Sequence, residues 1–391
     1  VYEPSPHRVE PDCPYYGRCG GCDFRHMDRT EELAAKRQRV QDALRRIGGS
    51  AVTVEGIDGG APLHYRNKSQ YPVAADGSVG FYKARSHQVV PVAQCLIQKP
   101  QADAAAQALR TYIASCGVSC YDEKTRRGLV RHLYIRTNGA GQSLICVVAN
   151  GKKLPREEEL VRLLRQAAPE TVGVVLGVNT QPTGAVLGTE YRTLWGADVL
   201  TDTLCGLTFR LSVPSFYQVN REMAERLYAR AVEFAGLTGT ETVLDLYCGI
   251  GTISLFLAQK AAKVCGVEIV PQAIEDARDN ARRNGFTNAE FFVGAAEDIV
   301  PEQYEKSGGA LRADVVTIDP PRKGCDEKLL RTVVQMEPEK IVYVSCDPAT
   351  LARDLKYLCG EGYELKKVRA CDMFGHSGHV ETVVGLQRKS M

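Results

Sequence analysis

No stretch of the 391 residues approaches the roughly 20 consecutive apolar residues of a membrane-spanning helix. No charged-then-apolar leader opens the chain either, so a cytoplasmic protein with no membrane partner is expected. Internal repeats and low-complexity tracts are absent, which argues against a solenoid or a disordered linker. The cysteines lack two familiar patterns, the paired C-x2-C halves of a zinc ribbon and the C-x3-C-x2-C of radical enzymes. Strong net charge is missing too, the balance being +2.

That balance hides an asymmetry. Residues 61–136 hold eleven Lys and Arg against four Asp and Glu, so the remainder is net acidic. Tyr65, Tyr71, Phe81, Tyr82, Tyr112, Tyr121 and Tyr134 are interleaved with these cations. Cations bind phosphates and aromatics stack on unpaired bases, which makes nucleic acid the favoured partner over a merely solvated face, with some of these aromatics in the core. Composition is otherwise that of a globular protein, 44% hydrophobic and 25% charged, with length for two or three domains. Fourteen cysteines in so long a chain do not describe a disulfide-stapled scaffold, and their clustering near the start points to metal ligation in a reducing compartment.

Residues 1–27 look irregular. Asp28, with Glu31 three positions on, caps an expected helix bearing Leu33, Val40, Leu44 and Ile47, which Gly48-Gly49 ends. Residues 50–213 read as mixed α/β, with strands at 131–137, 143–150, 171–179 and 208–213 and a helix over 155–168 that has Pro in its first turn. From residue 214 to 391 strands and helices alternate, the expected strands being 242–247, 263–268, 290–293, 313–318, 340–345 and 380–386. The expected architecture is α/β: a C-terminal doubly wound, Rossmann-like domain (214–391), a central RNA-binding domain (50–213) and an N-terminal cysteine-bearing segment with its helix (1–49).

Three strand ends carry chemistry, and the rim where such strands end is where an open parallel sheet binds ligands. The first is the glycine turn Asp245-Leu-Tyr-Cys-Gly249-Ile-Gly251. Its glycines let a ligand approach the backbone, and Glu268 at the next strand end suits two ribose hydroxyls. A nicotinamide dinucleotide and S-adenosylmethionine both fit, but Ser254 stands where the dinucleotide fingerprint wants a third Gly or Ala. The second is Asp319-Pro-Pro-Arg322, and the third Val344-Ser-Cys346-Asp-Pro348. A cysteine at a strand end is more often a small core residue than a nucleophile. Here it accompanies acids, a cation and, near the C-terminus, His376, His379 and Glu381. A thiol, a carboxylate and a methyl donor suit methylation at carbon 5 of uracil. That carbon is nucleophilic only after a thiolate adds at carbon 6, and a base must later remove its proton.

At the N-terminus, Cys13, Cys19 and Cys22 form C-x5-C-x2-C, with Cys95 far downstream. Spacing alone leaves an iron–sulfur cluster, zinc and unligated thiols open.

The chain resembles the RNA 5-methyluridine methyltransferases, in the iron–sulfur subgroup that modifies 23S ribosomal RNA, with a sister branch acting on the tRNA T-loop. The resemblance rests on six elements in family order: Cys-Gly-Gly-Cys, Ser-Phe-Tyr-Gln-Val-Asn, Asp-Leu-Tyr-Cys-Gly-Ile-Gly-Thr, Asp-Pro-Pro-Arg-Lys-Gly, Val-Ser-Cys-Asp-Pro-Ala-Thr-Leu-Ala-Arg-Asp and His-Val-Glu-Thr. It implies a class I methyltransferase fold, Cys346 as nucleophile and Glu381 as the base. It implies that Gln218, Tyr247, Gly249 and Glu268 hold S-adenosylmethionine, with Asp319 between the methyl donor and the uracil edge and Glu297 or Asp298 near the adenine. Cys13, Cys19, Cys22 and Cys95 would carry a structural 4Fe–4S cluster. The substrate would be 23S rRNA, with tRNA second, and the protein a monomer. Two departures stand out: Gly375 replaces a common Pro, which should loosen the loop before Glu381, and the family's small β-barrel TRAM domain is expected to be missing. A nicotinamide-dependent oxidoreductase leaves Cys346 and Glu381 unexplained. A non-catalytic RNA-binding protein leaves the whole set of nucleophile, base and cofactor residues without a use.

Overall fold

In this computed structural model, which describes residues 3–389, the C-terminal alternation folds into an eight-stranded sheet. Five parallel strands lie in the order Lys340–Ser345, Val315–Ile318, Thr242–Leu246, Lys263–Glu268 and Ala289–Val293. Runs such as Val315-Val316-Thr317-Ile318 are apolar throughout because helices cover both faces. Leu227, Phe256 and Ile274 pack on one face against Val243 and Val264, while Leu329, Val333 and Leu351 pack on the other against Val316 and Ile341. The chain builds outward from Thr242–Leu246 on one side, then returns to add Val315–Ile318 on the other. A crevice opens at such a switch point, beyond the carboxyl ends of the strands. The last strand, Glu381–Arg388, runs antiparallel between Lys340–Ser345 and Tyr363–Cys371.

The N-terminal helix Arg29–Arg46 begins as its sequence indicates, the Asp28 carboxylate accepting from Glu31 N–H at 2.8 Å. Its Val40 and Leu44 join the core of the C-terminal sheet, whereas Ile47 is exposed. Ile57–Asp58 pairs with Tyr363–Cys371 and extends that sheet by one short strand. The beginning of the chain thus packs on the layer that its end builds.

Between them lies a five-stranded sheet in the order Lys68–Pro72, Val130–Thr137, Ser143–Ala149, Thr171–Val178 and Glu190–Gly196. Helices Pro100–Cys116 and Glu157–Ala167 cover one face through Leu109, Tyr112, Leu160 and Leu164. The other face shares a core with the C-terminal layer, Tyr134, Leu144 and Cys146 joining Phe209, Tyr217 and Leu227. The helix expected from Pro155 starts instead at Glu157, because Arg156 caps it in a left-handed conformation (φ +50°) and leaves Pro155 outside. Helix Pro100–Cys116 and strand Tyr363–Cys371 were not among the expected elements. Of the interleaved aromatics, Tyr65, Tyr71, Tyr112, Tyr121 and Tyr134 are the buried ones and belong to the core. Tyr71 and Tyr134 reach the core from strands and Tyr112 from helix Pro100–Cys116, while Tyr65 and Tyr121 are buried in connecting segments.

Candidate active site

The glycine turn packs three left-handed residues into five positions: Tyr247 (φ +63°), Gly249 (φ +55°) and Gly251 (φ +80°). A Cβ on Gly251 would press on the Phe291 ring at 3.0 Å, whereas Gly249 faces open space. Tyr247 combines this left-handed backbone with a buried hydroxyl that has no hydrogen-bond partner among the described residues. Below the turn, Asp245 is 1% exposed and accepts from Ser254 at 2.5 Å and Thr317 at 2.6 Å. Burial pushes Asp245 up to about 6 despite those two hydroxyls. Ser254 therefore stands in place of Gly or Ala because it hydrogen-bonds a buried acid. Glu268 accepts from Gly249 N–H at 3.3 Å and Val270 N–H at 2.9 Å, so it braces the turn from the adjacent strand end. Gln218 is delivered by a segment pinned to the central sheet, its carbonyl accepting from the Asn67 amide at 3.0 Å.

The reacting groups meet through sheet register. Ser345 lies opposite Thr382, so Cys346 and Glu381, the next residues outward, emerge together at the rim. Asp319 emerges from the neighbouring strand, its N–H donating to the Leu246 carbonyl at 3.3 Å. Burial pushes the Cys346 thiol up to about 11, with Glu381 and Asp319 adding to it and Arg322 opposing. Burial likewise raises Glu381 to about 7, again against Arg322. Asp319 is raised well above the carboxylate range by burial and by the charges of Glu381 and Asp245.

One cleft of about 990 Å³ gathers these groups: Gln218, Tyr247, Gly249, Glu268, Asp319, Cys346 and Glu381 all line it, as do Glu297 and Asp298. It also takes in Arg66, Lys68, Phe216 and Phe374, which sequence reasoning did not single out. Phe216 carried a signal, being an aromatic two residues before Gln218 in a quoted motif; it is 59% exposed. Gly375 does not leave its loop untethered. Its carbonyl accepts from the Tyr65 hydroxyl at 3.0 Å, and a Cβ there would meet both Pro62 and Tyr65 at 3.3 Å.

Cys13, Cys19, Cys22 and Cys95 line a second, largely apolar pocket, with Tyr15, Phe81, Val92 and Ile97 between them. The N-terminal strip that precedes helix Arg29–Arg46 reaches Cys95 by docking on the hairpin of Gly80–Tyr82 and Val89–Pro91, Gly20 N–H donating to the Tyr82 carbonyl at 2.9 Å. A Cβ on Gly20 would strike Ala84 N at 2.8 Å. Among the described residues, no three Cys, His, Asp or Glu side chains form a site for a single metal ion.

A reversed last strand, a glycine turn braced by an acid and a cleft at the switch point define a class I methyltransferase fold. A family model described as tRNA (Uracil-5-)-methyltransferase matches residues 28–389. The chain belongs to this family, and is an S-adenosylmethionine-dependent RNA (uracil-5-)-methyltransferase. It is 45% identical to an uncharacterized RNA methyltransferase of Halalkalibacterium halodurans, a match covering 100% of this chain and 86% of that protein. A second uncharacterized RNA methyltransferase, from Clostridium tetani, is 48% identical over 98% of this chain and 84% of its own length. Among solved structures, the crystal structure of Pyrococcus abyssi tRNA (uracil-54, C5)-methyltransferase in complex with S-adenosyl-L-homocysteine is similar to this chain. The TM-score is 0.79 at 26% identity, covering 99% of this chain and 88% of that one.

Proposed function

We propose that this chain methylates carbon 5 of a uridine in 23S rRNA, with Cys346 adding to carbon 6 and Glu381 removing the carbon 5 proton. One observation carries the reading: register sets the thiol beside the carboxyl in the same cleft as the braced glycine turn. When bound, S-adenosylmethionine supplies an electrophilic methyl group. Gln218, Tyr247, Gly249 and Glu268, which line one cleft, would hold it, and Asp319 would stand between it and the uracil edge. The open space beside Gly249 and the unpartnered Tyr247 hydroxyl fit such an occupant. Cys346 releases its thiol proton to solvent and its sulfur bonds to carbon 6, the C5=C6 electron pair moving into the enolate that makes carbon 5 nucleophilic. After methylation Glu381 takes the carbon 5 proton, the C6–S bond breaks, and the ring double bond is restored. Residues 214–391 carry this chemistry and residues 50–213 contact RNA. The protein acts as a cytoplasmic monomer.

Cys13, Cys19, Cys22 and Cys95 are read as ligands of a 4Fe–4S cluster in the 1–49 segment and its docking hairpin. The support for this reading is that the four thiols, the distant Cys95 among them, line one largely apolar pocket. Anaerobically purified protein should be brown and hold roughly four irons per chain, as a cysteine-held cubane does. Stoichiometric zinc would overturn this assignment, and full iron occupancy in Cys95→Ser would remove Cys95 from the ligand set.

The tRNA T-loop is the second reading, favoured by the description of the matching family and by the Pyrococcus abyssi enzyme. Mass mapping of rRNA and tRNA from a deletion strain separates the two. For the mechanism, Cys346→Ala should give no methyl transfer. Glu381→Gln should accumulate a methylated protein–RNA adduct on a denaturing gel, and a 5-fluorouridine substrate should trap wild type similarly. Near wild-type methylation by Cys346→Ala, or free turnover by Glu381→Gln, would show the roles to be wrong.

A further inference from the structure

The loop of residues 372–380 joins Tyr363–Cys371 to Glu381–Arg388, and its Phe374 and His379 line the cleft. With Gly375, Gly378 and a left-handed His376 (φ +65°), its own sequence does little to fix its shape. The constraint comes from helix Arg29–Arg46. Lys36, 336 residues from Asp372 in sequence and 1% exposed, donates to Asp372 Oδ1 at 2.5 Å, Glu32 Oε1 at 2.9 Å and the Phe374 carbonyl at 3.0 Å. All three ammonium donors are engaged, two of them by the loop. Arg29 pairs with Asp372 and, at 3.1 Å, with Glu32. Glu32 in turn accepts from His376 N–H at 2.6 Å. One helical turn beyond Lys36, the exposed Arg39 donates to the Gly378 carbonyl at 2.5 Å. From the other side the strip contributes Asp23 and Phe24 N–H to the His376 carbonyl, at 2.8 and 2.9 Å.

A buried ammonium persists only where acids and acceptors surround it, and two buried acids are equally dependent on their cations. The cluster is therefore mutually locking, and it includes a residue from each end of the chain. None of Lys36, Arg29, Glu32 and Asp372 lines the catalytic cleft. Cys346 follows strand Lys340–Ser345, whereas Glu381 directly follows the clamped loop.

We infer that Lys36 is a positioning residue: through Asp372 and the Phe374 carbonyl it fixes the loop that presents Glu381 and walls the cleft around it. The inference rests on the assignment of Glu381 as base. Loosening the clamp should spare the half-reaction owned by Cys346 and slow the half owned by Glu381.

The experiment is a single-turnover assay with saturating 23S rRNA transcript and methyl-labelled S-adenosylmethionine, resolving adduct from released product on denaturing gels. In Lys36→Met the adduct should form at close to the wild-type rate and resolve about tenfold more slowly or worse, a part of what a general base contributes. Arg39→Ala, an exposed site that leaves the buried cluster intact, should shift the same ratio in the same direction by less. Hydrogen exchange should show lost protection at His376 and Gly378 with the sheet amides unchanged. Equal slowing of adduct formation and resolution in both variants would mean a merely structural role and overturn the inference. If Lys36→Met does not fold, an unchanged adduct-to-product ratio in Arg39→Ala overturns it alone. Absence of a persistent adduct in Glu381→Gln would place the failure in the base assignment, and the inference would fall with it.

Discussion

As the proposed base, Glu381 must be ionised to accept a proton, yet it sits where ionisation is disfavoured. At 4% exposure its carboxyl is raised to about 7, so near neutrality it both exists as carboxylate and binds a proton well. Arg322 is the nearby cation that keeps it from rising further, and it opposes the rise of the Cys346 thiol as well. The elimination rate should therefore increase with pH through about 7 as Glu381 deprotonates. In Arg322→Ala both groups lose their opposing charge, so that limb should move to higher pH, as single-turnover rates across pH 5.5–9 would reveal. A midpoint unchanged from wild type would deny Arg322 this role. Cys346, Asp319 and Glu381 were legible in the sequence because each ends or begins an apolar strand. The influence of Arg322 was not, since electrostatics depend on distances that a motif does not state.

At the scale of elements, the first strand and its turn are held by hydroxyls. Asp245, one residue before the end of Thr242–Leu246, lies in the apolar interior, with Ser254 and Thr317 donating to it from the following helix and the neighbouring strand. Ser254→Ala would leave one carboxylate oxygen unpaired in a buried site. The expected cost is about 1–3 kcal/mol in denaturant unfolding, the range for an unsatisfied buried polar group. A loss below a few tenths would mean that water replaces the hydroxyl. The sequence showed that a glycine was missing here; the reason lay in the acid one helix turn and a loop away. Helix Pro100–Cys116 escaped notice for a related reason. It is alanine-rich, and small residues such as Ala102, Ala105 and Ala106 pack in the core without the large apolar periodicity that marks an amphipathic helix.

Across the whole molecule, the ends of the chain interlock. Helix Arg29–Arg46 and strand Ile57–Asp58 complete the C-terminal layer, and the two sheets share a core. The ion cluster at this junction has a pH signature. Burial alone would raise Glu32, but His376, Lys36 and Arg29 hold it down to about 2. Its folded value thus lies below the ordinary 4.5, so its contribution is fully present above that pH and is lost as pH falls from 4.5 toward 2. Glu32→Gln should be less stable than wild type at pH 6, and the gap should narrow as pH falls through that window in thermal or denaturant unfolding. A pH-independent gap would assign the loss to packing.

The sequence by itself determined the alternation of strands and helices, because apolar runs buried on two faces are local facts of composition. It also determined which residue types stand at the strand ends, since Gly, Pro and Asp there declare where each strand stops. It set aromatics among the cations without telling which of them are core, and five of the tyrosines are buried, from strands, a helix and connecting segments alike. Only the tertiary structure decided that Cys346 and Glu381, from strands separated in sequence, emerge side by side. It alone brought Cys95 to the N-terminal cysteines and set Lys36 under the loop of Asp372. These are contacts between distant segments, fixed by register and packing rather than by any local pattern, and a charge buried between two chain ends leaves no mark in the residues beside it.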